Sequence, residues 1–523
     1  MAKALLENRK TTGLEWAILA LLLAVPFAPY IFAASRLSYI AYNNSSDTFL
    51  YLDIAKNIAQ GRGWVVSFNN YLFWPGIFHP APPFVHCGLP FLLALASALF
   101  RQIESFVFLN FFLAAFNAAL LFKVIRSLTK DKVIAYAAAC ILAASVSMEI
   151  TLLRILTEQL SLLVTLTALG IFISDTRLTR RRAVLTGLLL GMGLLIRSSS
   201  FFYPLAFAGA LLFGKQAIRE RLSLALVLLL SSFGLMAAWE IFVYARFGAF
   251  FPQYPQAFRN FYLAAFYAGG HLSGQVPVVR PLADLETVSF LWTNAAGVFR
   301  ALFSMLRVLM IFSLAGIGRV LFRERERGES ALMFLAIFQV CSLILFYPYV
   351  RLNDFELVRF LLVPVLALLI TGLRDFKVFC FRFFPKTRSL FFFSVISIVF
   401  LTNMRQSLEV LDVYWKEERS GKVQALKEVS EWVKQRTQGQ DLVAAEEFIY
   451  GGVYLDRPTV AFLERKLLNY NNLYSFKSIY NPRSIIVEKS AFKDKILKDA
   501  GYRPVFEGRL QSPFAIYEPA DKA

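Results

Sequence analysis

The stretch SSDTFLYLDIAKNIAQGRGW, residues 45–64, carries two carboxylates, Asp47 and Asp53, soon after an apolar N-terminal segment. Apolar residues in the stretch recur at helical spacing, which predicts an amphipathic helix over residues 48–60. Asp47 then lies at the N-terminal end of this helix, either as a simple N-cap or as a partly shielded carboxylate that accepts a proton. Asp53 is predicted on the opposite, solvated face of the helix.

The composition places this stretch in a membrane protein. The chain has 523 residues, of which 57% are hydrophobic and only 17% are charged, and this is too apolar for a soluble protein of such length. The net charge of +19 comes from lysines and arginines that gather in short blocks between apolar segments. Such blocks are typical of membrane topology, and they argue against a nucleic-acid partner.

Apolar segments of spanning length predict a polytopic α-helical protein with about eleven transmembrane helices. If the N-terminus is cytoplasmic, every basic block falls on the cytoplasmic side only when residues 82–100 form a juxtamembrane helix that does not cross the membrane. A twelfth crossing with a weak charge bias is the alternative. The predicted crossings are residues 16–34, 104–125, 133–148, 156–174, 183–199, 200–214, 222–244, 301–322, 331–349, 359–373 and 389–404.

Acidic residues and histidines concentrate in the segments that this topology assigns to the outer side of the membrane. A one-sided cluster of this kind suggests chemistry at the outer interface. Its members are Asp47, Asp53, His79, His86, Glu149, Glu158, Glu240, His271, Asp284, Asp354 and Glu356.

The tail differs in composition from the rest of the chain. It alternates a polar amphipathic helix at 422–437, strands at 441–446, 484–490 and 514–519, and a second helix at 492–501. This alternation predicts a small extracytoplasmic α/β domain over residues 405–523. The tail has no phosphate-binding glycine motif, so the simplest interpretation is a non-catalytic docking or substrate-cap domain.

Glu158 and two histidines are further candidates for a site. Glu158, at the outer end of its predicted helix, is either solvated, paired with Arg154, or part of a site in which it orients an acceptor or shares a divalent cation with Asp47. No motif requires a cofactor, and a divalent metal cation is the candidate. His79 and His86 border a proline-rich run and either hydrogen-bond a phosphate or bind a metal, although their spacing is not a recognisable ligand pattern.

A group of arginines lies in or beside apolar segments, near the predicted outer interface. A buried arginine in a membrane is costly and is usually paired. One suitable partner is a lipid-linked phosphate, whose oxygens match the guanidinium fork. The alternative is a set of salt bridges between Arg359 and Asp354 or Glu356. The arginines are Arg197, Arg307, Arg351 and Arg359.

Five motifs follow one another in a characteristic order. They are SSDTFLYLDIAKNIAQGRGW (45–64), HPAPPFVHCGLPFLLALAS (79–97), GLLLGMGLLIRSSSFFYPLA (187–206), AAWEIFVYARFGAFFPQ (237–253) and VRFLLVPVLALLITG (358–372). Together they resemble the motifs of the GT-C superfamily of membrane glycosyltransferases, in particular the bacterial relatives of protein O-mannosyltransferases and of the lipid A aminoarabinose transferase. The resemblance covers residues 10–375.

The resemblance implies a GT-C-like transmembrane catalytic domain, which we place at residues 1–404, with juxtamembrane helices in the first outer loop. It carries the role of catalytic base to Asp47 and a site-building role to Glu158. The chain departs from the family at Thr48 and Ala81, where glutamate and lysine are frequent, and these departures bear on metal use and on the donor sugar.

The remaining site residues follow from this assignment. We expect Tyr51, His79 and Glu149 to help build the acceptor side of the site. We expect the donor phosphate among the arginines Arg197, Arg351 and Arg359.

The sequence therefore predicts an inverting glycosyltransferase in the cell membrane. It would move a sugar from a polyprenyl-phosphate donor to a hydroxyl of a lipid, glycan or protein at the outer face. Its other contacts would be membrane lipids. A lipid or small-molecule transporter or flippase with a water-filled path lined by Arg307 and Glu240 is the alternative, and a non-catalytic envelope scaffold is a third.

Overall fold

Helices dominate the computed structural model. The described residues are 12–37, 46–66, 68–70, 86–97, 106–174, 177–213, 216–247, 285–322, 327–346, 359–420, 422–438, 441–445, 459–461, 482–506 and 514–520. The chain forms two compact units, one made of residues 1–32, 108–152 and 157–410 and the other of residues 33–107, 153–156 and 411–523.

The elements of the first half are α1 Gly13–Arg36, α2 Ser46–Ala59, β1 Phe68–Asn70, α3 Gly88–Ala96, α4 Phe106–Thr129, α5 Lys132–Ala143, α6 Val146–Leu153, α7 Glu158–Ile173, α8 Arg180–Ile196, α9 Phe202–Leu212 and α10 Ile218–Phe247. The second half contains α11 Leu285–Leu306, α12 Leu309–Phe322, α13 Arg327–Phe346, α14 Leu362–Phe383, α15 Arg388–Arg419, α16 Lys422–Arg436, β2 Val443–Ala445, β3 Thr459–Ala461, β4 Ser484–Glu488, α17 Ala491–Asp499, β5 Tyr502–Phe506 and β6 Phe514–Pro519.

Several helices are long and apolar enough to cross a bilayer. Within the described ranges there are five, or seven if each of two sharply bent helix pairs forms one span. The chain is therefore a helical membrane protein, and the number of eleven crossings stays a prediction. Helix α3, in the segment predicted to be juxtamembrane, has nine residues, which is fewer than the roughly 20 that a transmembrane helix needs.

One predicted span is wrong as a continuous helix. Residues 301–322 do not form a single helix, because α11 ends at Leu306 and α12 leaves the break at an angle of 110°. Arg307 at the break has a φ of +53°, a left-handed conformation that residues other than glycine rarely adopt. The composition of the segment does not indicate this break, since apolar residues predominate on both sides of it.

Several helix ends in the first unit accept hydrogen bonds from side chains of other helices. A helix that stops inside apolar surroundings leaves carbonyl groups that water cannot solvate, so protein donors must satisfy them. The bonds are Asn403 Nδ2 to Met305 O (2.9 Å), Ser407 Oγ to Ala144 O (2.9 Å) and Asn110 Nδ2 to Leu152 O (3.3 Å). Amides and hydroxyls on α4 and α15 thereby stabilise the ends of α5, α6 and α11.

Helices α8 and α10 approach each other closely at glycines. A Cβ atom on Gly187 would lie 2.5 Å from Leu228 O, and one on Gly191 would lie 2.7 Å from Ser232 O. The hydroxyl of Ser232 donates to Gly187 O at 2.9 Å across the same contact. Small residues allow this approach of two backbones, as is common between helices in membranes.

The second unit contains a six-stranded mixed sheet in the order β1-β3-β2-β4-β6-β5. Strands β1, β3, β2 and β4 are parallel, whereas β6 is antiparallel to both β4 and β5. Strands β2, β4 and β6 lie within the segments predicted as strands. The sequence did not predict β1, which comes from the first loop and pairs along β3 from Phe68–Thr459 to Asn70–Ala461.

Alternate residues of the sheet bury against helices on its two faces. Ala444, Ile485 and Val487 pack with Ile496 and Leu497 of α17. Their neighbours Val443, Ala445 and Ile486 pack on the other face with Val429 and Val433 of α16. The period-two pattern of side chains thus gives an α/β/α sandwich. The predicted boundary between residues 404 and 405 falls inside α15, which is continuous from Arg388 to Arg419.

We expect Gly187→Ala to lower the melting temperature of the detergent-solubilised protein, because the added methyl group meets the backbone of α10. Overpacking of this kind costs about 1–3 kcal/mol. Gly234→Ala is the control, because it lies on α10 with no atom within 4 Å of its Cβ position and should leave the melting temperature unchanged or raise it. Equal effects of both substitutions would contradict the close packing.

We expect Val460→Pro to release β1 from the sheet. Strand β3 lies between β1 and β2, and proline has no amide hydrogen to donate to either neighbour. Trypsin should then cleave faster after the exposed Arg62, which lies six residues before β1. Val460→Ala keeps the amide and is the matched control. Identical cleavage rates for the two variants would show that pairing with β3 does not restrain this part of the first loop.

Candidate active site

Three charged residues come together in the first unit from three separate elements. Glu158 is the first residue of α7, a position where the helix dipole favours a negative charge. Arg197 directly follows the end of α8, and its extended backbone (φ −156°, ψ 134°) turns the chain out of the helix. Arg359 lies just before α14. The three side chains lie far apart in sequence and meet only through the packing of these elements.

The glutamate is shared by the two arginines. Arg197 Nη1 lies 2.6 Å from Glu158 Oε1, and Arg359 Nε lies 3.7 Å from the same oxygen. The three residues are 5%, 8% and 9% exposed for Glu158, Arg197 and Arg359. The arrangement is a buried ion cluster in which one carboxylate contacts two guanidinium groups. Asp354 and Glu356, the alternative partners of Arg359, lie outside the described residues.

The guanidinium of Arg197 is held on several sides. Its Nε donates to Ser199 Oγ at 2.7 Å, and its Nη1 contacts Glu158. The ring of Phe360 lies beneath both guanidiniums, with its centroid 4.3 Å from Cζ of Arg197 and 4.8 Å from Cζ of Arg359. An aromatic ring attracts a cation through its quadrupole and does not neutralise it. The cluster therefore orients two guanidinium forks.

The second carboxylate oxygen of Glu158, Oε2, is buried, and no described residue donates a hydrogen bond to it. The carboxylate thus uses one oxygen for both arginines. Oriented guanidinium groups are suited to an anion, and phosphate oxygens fit the guanidinium fork.

The structure thus brings together Glu158, Arg197 and Arg359. Glu158 is neither solvated nor paired with Arg154, so both of those interpretations of Glu158 are wrong. The physical reason is the burial of the start of α7, where the arginines replace water. In the second unit, Arg154 lies over the ring of Tyr414 at 5.7 Å.

Helix α2 differs from the surface helix that the sequence predicts. Asp53, predicted on a solvated face, is fully buried, and Asn57 Nδ2 lies 3.5 Å from its Oδ2. Tyr51 is also buried, and α2 packs against α3 within the second unit. The prediction for Asp53 is wrong because α2 is buried on most sides, so its polar residues face protein and not water.

Several predicted site residues lie beyond what the structure describes. Asp47 is in the first turn of α2 and Glu149 is in α6, but their side chains are outside the described part of the chain. His79 and Arg351 also lie outside the described residues. Among the described residues no group of three His, Cys, Asp or Glu side chains could hold a metal ion, and a cation shared by Asp47 and Glu158 stays a prediction.

Sequence reasoning missed the residues that orient the arginines. Phe360 follows Arg359 directly, and Ser199 lies two residues after Arg197, so both were within quoted motifs without being singled out. Ser161 Oγ lies 3.1 Å from Ser200 Oγ and joins α7 to the turn after α8. The sequence signals were the serines that follow Arg197 and the aromatic residue that follows Arg359.

Comparison with solved structures identifies the fold. The archaeal oligosaccharyltransferase AglB from Archaeoglobus fulgidus, in complex with an inhibitory peptide and a dolichol-phosphate, is similar with a TM-score of 0.57 and 14% identity, over 98% of this chain and 75% of that chain. ArnT from Cupriavidus metallidurans bound to undecaprenyl phosphate is similar with a TM-score of 0.55 and 11% identity, over 97% of this chain and 98% of that chain.

Both neighbours are GT-C superfamily glycosyltransferases, so the structure confirms the fold that the sequence motifs indicated. No protein-family model matches the chain, and no curated protein matches it in sequence. At 11–14% identity the similarity establishes the fold, and the activity has to be argued from the site.

We expect Arg197→Met to destabilise the protein strongly, because it leaves Glu158 with only the longer contact to Arg359. Removal of one partner from a buried ion pair costs about 3–5 kcal/mol. The double variant Arg197→Met with Glu158→Gln should recover part of this loss, since the carboxylate charge is also removed. Melting temperatures of the wild type, both single variants and the double variant give the coupling. Strict additivity would show that the pair is not coupled.

Proposed function

We propose that the protein is a glycosyltransferase that moves a sugar from a polyprenyl-phosphate-linked donor to a hydroxyl acceptor. The observation that carries the proposal is the buried cluster of Arg197, Arg359 and Glu158, in which two oriented guanidinium groups suit the oxygens of a phosphate. The GT-C fold supports it, since one solved neighbour is in complex with dolichol-phosphate and another is bound to undecaprenyl phosphate.

In this proposal Arg197 and Arg359 bind the phosphate of the donor. Their guanidinium groups would contact oxygens of the phosphate that links the lipid to the sugar, and Arg351 is proposed as a third contact. When the bond between the anomeric carbon and the phosphate oxygen breaks, negative charge develops on that oxygen. Oriented cations in a site that excludes water stabilise this charge without reorganising during the reaction.

Asp47 is assigned the role of catalytic base, with Tyr51, His79 and Glu149 on the acceptor side. Its carboxylate takes the proton from the acceptor hydroxyl as the oxygen attacks the anomeric carbon. The attack is in line with the departing phosphate, so the configuration at carbon is inverted. One C–O bond forms and one breaks, and the electron pair of the broken bond leaves with the lipid phosphate.

The proposed setting is the outer face of the cell membrane, with the N-terminus in the cytoplasm. The lipid-linked phosphate is a good leaving group, so no nucleotide sugar is needed at that face. The sugar acceptor belongs to the class of envelope lipids, glycans or proteins that present a free hydroxyl. A divalent cation held by Asp47 and Glu158 is not required by these steps.

We expect Asp47→Asn to lower the transfer rate by about 10²–10⁴-fold, because a positioned general base contributes that much. The measurement is mass spectrometry of envelope glycans, lipids and glycoproteins from cells that lack the gene, complemented at equal expression by wild type or variant. A sugar that wild type restores and Asp47→Asn does not would identify the product.

Glu409→Gln is the control for this experiment. Glu409 is an exposed carboxylate in an i,i+4 pair with Arg405, so its loss should leave transfer unchanged. Full restoration of the sugar by Asp47→Asn would remove Asp47 from the mechanism and leave it as a helix-end residue.

A further inference from the structure

We propose that the turn between α14 and α15 binds the phosphate headgroup of an anionic phospholipid. The turn comprises residues 384–387, and basic and aromatic side chains surround it. None of these side chains takes part in the proposed glycosyl transfer. The residues of this site, which we call the turn patch, are Phe381, Arg382, Phe383, Lys386 and Arg388.

The turn patch lies at the end of an apolar helix. The segment Arg388–Lys416 of α15 is apolar and long enough to cross a bilayer, so the start of α15 lies where such a span would meet the lipid headgroups. Helix α14 is buried throughout from Leu362 to Leu373 and then mixes charged and aromatic residues up to its end. Basic and aromatic side chains that are exposed together are typical of surfaces that contact the membrane interface.

The basic groups of the turn patch have no acidic neighbours in the sequence. From Phe376 to Leu408 the chain contains no aspartate or glutamate. Arg382, Lys386 and Arg388 are exposed, and no carboxylate of the described residues forms an ion pair with any of them. Three exposed cations in one turn attract an anion from outside the described chain.

The aromatic rings of the patch orient its arginines. Arg388 Cζ lies 4.6 Å from the ring centroid of Phe381, and Arg382 Cζ lies 5.6 Å from the ring centroid of Phe383. A ring attracts a cation without neutralising it, so the guanidinium N–H groups can still donate to phosphate oxygens. The two rings are 41% and 59% exposed, and they present apolar surface beside these donors.

A second set of phenylalanines holds the turn in place. Phe384 of the turn stacks on Phe391 of α15 with the ring centroids 4.4 Å apart, and the buried rings of Phe376 and Phe392 lie 5.7 Å apart. Pro385 restricts the backbone between them. The basic groups are therefore carried by a packed hairpin, and a packed hairpin loses less conformational entropy on binding than a flexible loop does.

An anionic phospholipid has the two features that this patch can bind. Its phosphate offers a negative charge to the arginines, and its glycerol and acyl groups can cover the exposed rings. In the predicted topology the turn faces the cytoplasm, where the membrane leaflet carries anionic lipids. Each basic residue near such a surface contributes about a fivefold gain in affinity. A zwitterionic lipid has the same phosphate, but its own cation opposes the arginines.

Helix α15 also carries a matched control. Arg405, Lys416 and Arg419 are exposed basic residues of this helix, but each of them pairs with a carboxylate. The partner of Arg405 is Glu409, and the partner of the other two is Asp412. Replacing these three residues by glutamine changes the charge of the protein as much as replacing the three basic residues of the turn patch. The control variant should keep the lipid preference of the wild type.

The test measures equilibrium binding of two lipids to the full-length protein in detergent by native mass spectrometry. One lipid is phosphatidylglycerol, which is anionic, and the other is phosphatidylcholine with the same acyl chains. We expect the wild type to bind phosphatidylglycerol about tenfold more tightly. The triple variant Arg382→Gln, Lys386→Gln and Arg388→Gln should lose most of this preference. The double variant Arg382→Lys and Arg388→Lys keeps the charges and should keep most of it.

Three results would overturn the lipid site. The first is equal binding of both lipids by the wild type, which decides the question even if the triple variant does not fold. The second is a wild-type preference in the triple variant, because the anionic headgroup would then bind elsewhere. The third is an equal loss in the control variant, because net charge alone would then explain the preference. No polyprenyl phosphate is present, so the result does not depend on the proposed transfer reaction.

Discussion

A buried charge in apolar surroundings needs an opposite charge, and the helical unit of this protein is organised around that constraint. Glu158 joins α7 to the end of α8 and the start of α14 through two arginines. Glu329 connects α13 in the same way to arginines of α12 and α14. Glu15 of α1 does so with Arg126 of α4 and Lys132 of α5. Each glutamate thus fixes the positions of three helices.

The cluster at Glu158 differs from the other two in its chemistry. Both of its arginines rest on Phe360, and all three residues are buried. Guanidinium groups that are oriented in this way are suited to stabilise the charge that develops on a departing phosphate.

Much of the fold was predictable because its determinants are local. The lengths of the apolar segments indicated helices, and short strand-like residue patterns indicated β2, β4 and β6 of the C-terminal sheet. The break at Arg307 and the strand β1 were not predictable from local patterns. The amide of Asn403 donates to the carbonyl of Met305 beside the break, and β1 pairs with a strand nearly 400 residues away in sequence. For the site, the sequence indicated Glu158, Arg197 and Arg359 singly. They did not indicate that Glu158 binds both arginines.

The sequence by itself determined that this is a helical membrane protein with GT-C motifs and an α/β tail, because hydropathy, periodicity and motif order are properties of the chain alone. Only the tertiary structure decided which charges meet, which helices break and that Asp53 is buried. The physical reason is that burial and ion pairing depend on what packs against a side chain. That neighbour comes from distant parts of the chain, and no local pattern records it.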